Sequence, residues 1–179
     1  MAKIESVQAS DYVGFYRTYW NYTNADSNGA HTNSCCGQAA IYSALRTRFG
    51  SQKLGFPAFV RKYPPDIVGG SFGTSWQRIR QTVVASGCKL GIQYGETALH
   101  NALNSGPVIV CLDVGAAGWG KPGLHWVSVF GRTSKHYYLT QWQGGGGNRV
   151  SREHFLAGWQ TWLTTGLSAT SRGCYIPYK

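Results

Sequence analysis

The sequence contains little charge, and negative charge least of all. Charged residues make up 13% of the 179 residues, and seven acidic residues stand against seventeen basic ones, which gives a formal net charge of +10. Disordered chains are rich in charge and poor in aromatics, whereas this chain has seven Trp, eleven Tyr and seven Phe. The composition therefore excludes a disordered chain and predicts one folded domain with a substantial core.

The sequence also lacks long apolar segments. No run of 18 apolar residues occurs, so no membrane-spanning helix is predicted. The first twenty residues, MAKIESVQASDYVGFYRTYW, contain no apolar core of a Sec signal peptide. We therefore expect a protein that is made in the cytoplasm, and any export would use a secretion route that needs no such signal.

Clusters of basic residues are missing as well. The seventeen Lys and Arg residues are spread along the chain without a run of five, and no nucleic-acid motif occurs. A specific nucleic-acid partner is therefore not expected. A net charge of +10 still favours contact with anionic surfaces such as lipid or acidic cell-wall polymers, and a basic but otherwise ordinary surface is the alternative.

The five cysteines form no complete framework. The count is odd and no CxxC pair occurs, which excludes full disulfide pairing and argues against a zinc knuckle; the cysteines are Cys35, Cys36, Cys88, Cys111 and Cys174. The five histidines show no metal-ligand spacing. The four glycines at 144–147 are not followed by Gly-Lys-Ser/Thr, so they are no phosphate loop. No metal and no cofactor is therefore predicted.

Hydrophobic periodicity predicts helices first and strands later. Helical spacing of apolar residues predicts a helix over about 36–49 that ends at Gly50, and a second helix over 74–87. Later segments predict strands, at 89–94, 107–114, 124–131, 135–142 and 173–178. We expect an α+β fold in which a nucleophile helix packs against a mostly antiparallel β-sheet. Residues 1–30 are predicted to be an N-terminal arm, and residues 31–179 a single domain.

Cys36 is the candidate nucleophile. It is predicted to lie in the first turn of a helix that Asn33 or Ser34 caps, where the helix dipole and free N–H groups lower a thiol pKa. Gly37 follows it and is expected to leave room for a substrate carbonyl beside the backbone. Taken alone, the two adjacent residues Cys35 and Cys36 are better interpreted as buried packing thiols.

His125 and Gln141 complete the candidate site. His125 begins a predicted strand after a glycine-rich loop, where a base can face a helix end. Gln141 lies 16 residues further on, and Trp142 follows it. A thiol, an imidazole and an amide are the cysteine version of a nucleophile, a base and an orienting group. His31 is an alternative base, and Gln143 and Asp113 are alternative orienting groups.

The order of these pieces resembles papain-like cysteine peptidases in their short bacterial form. The closest pattern is the leader-peptidase domain of bacteriocin ABC exporters. The matching stretches cover about residues 31–160 and are Cys36-Gly37-Gln38-Ala39, His125-Trp126-Val127-Ser128-Val129-Phe130-Gly131, Tyr137–Trp142 and Ser151–Phe155. The resemblance implies a papain-like fold, an acyl-enzyme mechanism, and a tryptophan, here Trp142, that shields the bond between histidine and amide.

The chain departs from that family at two positions. The family has Asp or Asn where this chain has Gln141, and an oxyanion-hole Gln six residues before the nucleophile, where this chain has Ala30. Asn33, His31, Asn28 or backbone N–H groups would have to replace that donor. Both departures leave an inactive relative as an alternative.

The sequence therefore favours a cysteine peptidase that cleaves an amide bond through Cys36, His125 and Gln141. The substrate is expected to be a protein, a peptide or a peptidoglycan stem peptide. In the last case the protein would be a bacterial toxin or effector that leaves the cell without a signal peptide. Deamidation or acyl transfer by the same residues, and a papain-like binding module without activity, are the alternatives.

Overall fold

The computed structural model describes residues 3–7, 9–14, 18–29, 34–66, 74–119, 123–141, 148–160 and 172–179. Within these ranges, the strands are β1 (Lys3–Ser6), β2 (Thr18–Asn21), β3 (Lys89–Tyr94), β4 (Val108–Asp113), β5 (Leu124–Arg132), β6 (His136–Leu139), β7 (Arg149–Ser151) and β8 (Gly173–Tyr178). The helices are α1 (Cys36–Phe49), α2 (Phe56–Lys62), α3 (Trp76–Ala85), α4 (Glu96–Leu103) and α5 (Arg152–Gln160), and a 3-10 turn spans Asn24–Ser27.

Six strands form the main sheet in the order β3-β8-β4-β5-β6-β7. All the neighbouring pairs are antiparallel. In the centre of the sheet, β4 and β5 pair with Leu112 opposite His125 and Cys111 opposite Trp126. The structure thus confirms an α+β fold with an antiparallel sheet.

Helices cover both faces of this sheet. One face, which we call the α1 face, carries Ile109, Cys111 and Trp126, which pack with buried residues of α1, α2 and α3. The other, the α5 face, carries Val110, Leu112 and Val127, which pack with α4 and α5. Side chains alternate between the faces of a strand, so each residue of β5 belongs to one face or the other.

Helix α1 has the bounds that its periodicity predicts. Its first ten residues are all buried, and Arg46 and Arg48 lie in the last turn, where cations oppose the helix dipole. Gly50 follows with a φ of 78°, a left-handed value that favours glycine. The predicted cap is wrong for Ser34, because Cys35 is the N-cap residue and its side chain makes no capping hydrogen bond. Asn33 lies outside the described residues.

The N-terminal arm contains two strands that the sequence did not reveal. β1 and β2 form an antiparallel ribbon of four residue pairs. Two hydrogen bonds attach β2 and the residue after it to α1: Trp20 N donates to Thr47 Oγ1 at 2.9 Å, and Tyr22 N donates to Ser43 Oγ at 3.0 Å. The arm is therefore bound to α1.

Among the helices of the described ranges, none has the length and hydropathy that a bilayer crossing requires.

Candidate active site

Cys36 opens helix α1 against the sheet. The residue is 6% exposed, and its thiol accepts from the backbone N–H groups of Trp126, Gly37 and Cys36 itself. Burial raises the pKa of the thiol, and these N–H groups oppose that rise without cancelling it. The sulfur therefore lies against the peptide group that joins His125 to Trp126, and it is held there as a neutral thiol.

The Cys35 side chain points toward the N-terminal arm. Its Sγ contacts the backbone and side-chain oxygens of Asn24 at 3.9 and 3.8 Å. Burial raises the pKa of this thiol to about 11. Of the two adjacent cysteines, Cys36 is the one whose sulfur touches β5, while Cys35 packs against the 3-10 turn of the arm.

Gly37 lies close to the Thr74 side chain. A Cβ atom at this position would stand 2.6 Å from the Thr74 side chain. Thr74 thus fills the space on the Cβ side of Gly37, and the room for a substrate carbonyl beside the backbone stays a prediction. Glycine is required here because Thr74 approaches α1 so closely.

Thr74 and Gln38 are residues of the site that sequence reasoning missed. Thr74 accepts a hydrogen bond from Trp126 Nε1 at its carbonyl oxygen (2.7 Å), and its hydroxyl donates to Gln38 Oε1 (2.9 Å). Gln38 is fully buried, and its Nε2 has no partner among the described residues. A polar residue in an otherwise apolar buried helix turn is the signal that could have identified it.

His125 lies on the opposite face of the sheet from Cys36. Its partner in β4 is Leu112, a residue of the α5 face, and its ring meets Trp119 edge-on with 4.9 Å between centroids. Trp119 packs against the α5-face cluster, whereas Leu124 and Trp126 pack with Cys36. The Cys36 thiol therefore contacts the backbone next to His125, but the thiol and the imidazole lie on opposite faces of the sheet.

The imidazole is neutral in this position. His125 Nε2 is buried and has no hydrogen-bond partner within the described ranges. Burial lowers the pKa of the ring to about 4. A thiolate–imidazolium pair requires a low thiol pKa and a high imidazole pKa, so both shifts at this site favour the neutral pair.

Gln141 does not bind the His125 ring. Its side-chain Nε2 donates to the carbonyl oxygens of Cys36 (3.0 Å) and Trp126 (3.1 Å). The prediction that Gln141 orients the imidazole is wrong in this structure, because Gln141 contacts the backbone on the Cys36 side while the ring lies across the sheet. The amide instead joins the first residue of α1 to strand β5.

A polar network that includes residues of the N-terminal arm holds Gln141 in place. Gln141 follows β6 with a φ of 59°, and its backbone N–H donates to Asn21 Oδ1 at 2.9 Å. Asn21 Nδ2 donates to Glu5 Oε1 at 3.1 Å, and Glu5 Oε2 accepts from Tyr19 and Asn148. The arm thus contributes, through Gln141, to the position of α1.

The other candidates have different surroundings or lie outside the described residues. Asp113 Oδ1 accepts from the N–H groups of Gly115 and Ala116, so this carboxylate closes a turn. Asn28 ends the 3-10 turn in a left-handed conformation and is exposed. The predictions for Ala30, His31, Asn33, Trp142, Gln143 and 144–147 fall on residues that the structure does not describe.

Replacing Gln141 separates the two roles considered for it. Gln141→Ala removes both N–H donors from buried carbonyl oxygens, which we expect to lower the free energy of unfolding by about 1–3 kcal/mol. Gln141→Glu keeps the size but turns a carboxylate toward the two carbonyls, so it should destabilise at least as much. Urea unfolding of both variants measures this.

A stable Gln141→Glu variant would contradict this explanation of the Gln141 side chain. A carboxylate can accept a hydrogen bond from an imidazole as well as an amide oxygen can. If Gln141→Glu were as stable as the wild type while Gln141→Ala were not, the carbonyl contacts would not be what this side chain contributes.

Among the residues the structure describes, no three His, Cys, Asp or Glu side chains are grouped so that they could hold a metal ion. No protein-family model and no curated protein sequence matches this chain.

Proposed function

We propose that the chain is a papain-like cysteine hydrolase in which Cys36 attacks an amide carbonyl and His125 is the base. One observation carries the proposal: the Cys36 sulfur lies at the start of α1, in contact with the N–H of the peptide group between His125 and Trp126. A buried helix start beside an antiparallel sheet gives a thiol the N–H groups that can stabilise its charged form.

The proposed reaction has two steps. The Cys36 sulfur bonds to the carbonyl carbon while its proton passes to His125. The C–N bond then breaks, His125 returns the proton to the leaving amine, and a thioester remains. In the second step a water molecule gives its proton to His125 and attacks the thioester, which releases a carboxylic acid and restores the thiol. N–H groups at the start of α1 stabilise the developing oxyanion.

The base has to turn before it can act. The His125 ring rests against Trp119 on the α5 face. In this arrangement the imidazole and the Cys36 thiol are both neutral. His125 is the second residue of β5, and Gly123 precedes the strand with a φ of 157°, a conformation that glycine favours. We propose that this end of β5 rotates when substrate binds, so that the thiol loses its proton during attack and not in the resting enzyme.

The substrate proposed first is a protein or peptide. A peptidoglycan stem peptide is the second candidate, since a net charge of +10 favours an anionic wall. On that second proposal the protein is an antibacterial effector that acts on the cell wall.

A binding module without activity is the candidate from another class. The observation that favours it is the orientation of His125, whose ring faces away from the thiol and whose Nε2 has no partner in the described part of the chain. Such a module would use the same face around α1 for binding without cleavage.

Incubation of the protein with an unfolded protein and, separately, with purified peptidoglycan tests the proposal. Mass spectrometry should find fragments produced by amide-bond cleavage in one of the two substrates, and the same incubation with Cys36→Ala should produce none. If the folded wild-type protein cleaves neither substrate, the binding module is the better description.

A further inference from the structure

A cavity lies at the end of helix α1 that is opposite Cys36. It has a volume of about 410 Å³ and lies where α1, α2 and α3 end. Its apolar wall comes from Phe49, Leu54, Phe59 and Tyr63. Helix α1 has 14 residues, so its two ends are separated by about 20 Å at 1.5 Å per residue, and the cavity is distinct from the Cys36 site.

Hydrogen bonds within the chain fix the walls of this cavity. Tyr63 in the α2 wall donates through its hydroxyl to Ala85 O at the end of α3, at 3.0 Å. Leu54 O accepts from Tyr42 of α1 at 2.6 Å, which holds the loop after α1. The rings of Phe59 and Tyr63 meet edge-on, with 5.0 Å between centroids. The cavity is therefore formed before any ligand arrives, which lowers the entropic cost of binding.

The charge around the cavity is positive. Three exposed lysines line it, Lys53, Lys62 and Lys179, and none of the described lining residues is acidic. Two of the ammonium groups lie over aromatic rings: Lys179 Nζ is 5.2 Å from the Phe49 centroid, and Lys62 Nζ is 5.4 Å from the Tyr63 centroid. Positive groups and ring faces thus occur side by side.

The ends of the helices reduce this charge but do not cancel it. Three helix C-termini meet here, and each carries roughly half a negative charge, or about one and a half in total. The three lysines exceed that by about one and a half positive charges, and an α-carboxylate on Lys179, the last residue of the sequence, would reduce the excess to about half a charge. The balance around the cavity is positive in either case, so the cavity attracts anions.

We propose that this cavity is a binding site for a small aromatic anion, with its ring against Phe49 and Tyr63 and its negative group near Lys53, Lys62 and Lys179. The cavity volume of about 410 Å³ lies within the range of small-molecule sites, about 300–1,000 Å³. The site does not depend on the reaction proposed for Cys36, so a protein without hydrolytic activity would keep it.

The probe is 8-anilinonaphthalene-1-sulfonate, with uncharged 1-anilinonaphthalene as its matched neutral analogue. Fluorescence titration should show saturable binding of the sulfonate at one site and clearly weaker binding of the neutral compound. The triple variant Lys53→Gln, Lys62→Gln, Lys179→Gln should weaken sulfonate binding by about tenfold, because three individually weak contacts between exposed charges are lost together. Arg61→Gln is the control, because Arg61 is exposed on α2 beside Lys62 but does not line the cavity.

Alkylation of Cys88 gives the second readout. This partly exposed thiol lines the cavity, so bound probe should slow its reaction with iodoacetamide several-fold, as followed by peptide mapping. The proposal is overturned if the neutral analogue binds as well as the sulfonate, if Arg61→Gln weakens binding as much as the triple variant, or if Cys88 reacts equally fast with and without saturating probe.

Discussion

Cys36→Ala is expected to abolish hydrolysis, while Cys35→Ala should retain most of it. The Cys36 sulfur is held against the His125–Trp126 peptide group, and the Cys35 sulfur contacts Asn24 on the arm. Cys35 is the N-cap residue outside the helix and its sulfur points to the arm, so the two thiols cannot serve the same site. Loss of the nucleophile removes the covalent step, and a decrease of at least about 10³-fold in kcat/KM is expected.

The comparison needs folded variants. Circular dichroism and urea unfolding of both should show native structure before any rate is interpreted. Cys35→Ala is the matched control, since it removes a buried thiol from the adjacent position. Full activity in Cys36→Ala would rule out this nucleophile, and activity lost only in Cys35→Ala would assign the reaction to the other thiol.

His125→Ala should be as damaging as Cys36→Ala, and the double variant should be no worse than either single one. Nucleophile and base act in one step, so their losses do not add. His154→Ala is the control, because His154 is exposed on α5 and belongs to no proposed step. Single-turnover rates of the wild type and of these four variants measure the effect. Near-normal turnover in His125→Ala would mean that another group accepts the proton, and His31 would be tested next.

The pH profile of kcat/KM adds an independent measurement. A base acts only while unprotonated, and burial lowers the pKa of His125 to about 4. Activity should therefore persist as the pH falls below the usual histidine range of about 6.5 and decline only near pH 4. Because kcat/KM reports the free enzyme, a decline centred near 6.5 would show that the ring of the free enzyme is not in the buried position beside Trp119.

The elements that carry Cys36 and His125 could be predicted because their apolar patterns are strong. Helix α1 begins at Cys36 and ends before Gly50 as its periodicity indicates, and β5 (Leu124–Arg132) covers the strand predicted at 124–131. Which way a side chain points is harder to predict. A shift of one residue in a strand reverses its face, and no sequence spacing states whether His125 or Trp126 faces α1.

The role of Gln141 could not be derived for a related reason. The 16-residue step from His125 places it on the next strand, but the register shifts between Val129 and Gly131, and Gln141 itself adopts a left-handed conformation. Either feature breaks the alternation on which the prediction rested. Its contacts with Asn21 and Cys36 join residues 120 and 105 positions apart, and such pairs leave no local pattern in the sequence.

The position of β8 has a consequence for how the protein forms during synthesis. This strand lies between β3 and β4, so the sheet is in two parts until residues 173–178 have been made. Until then a nascent chain exposes two unpaired strand edges, which invite association with other chains. Pairings of such long range also close slowly. The sheet is therefore completed only after residues 173–178 have left the ribosome, and the cell that makes the chain has to keep it from aggregating until then.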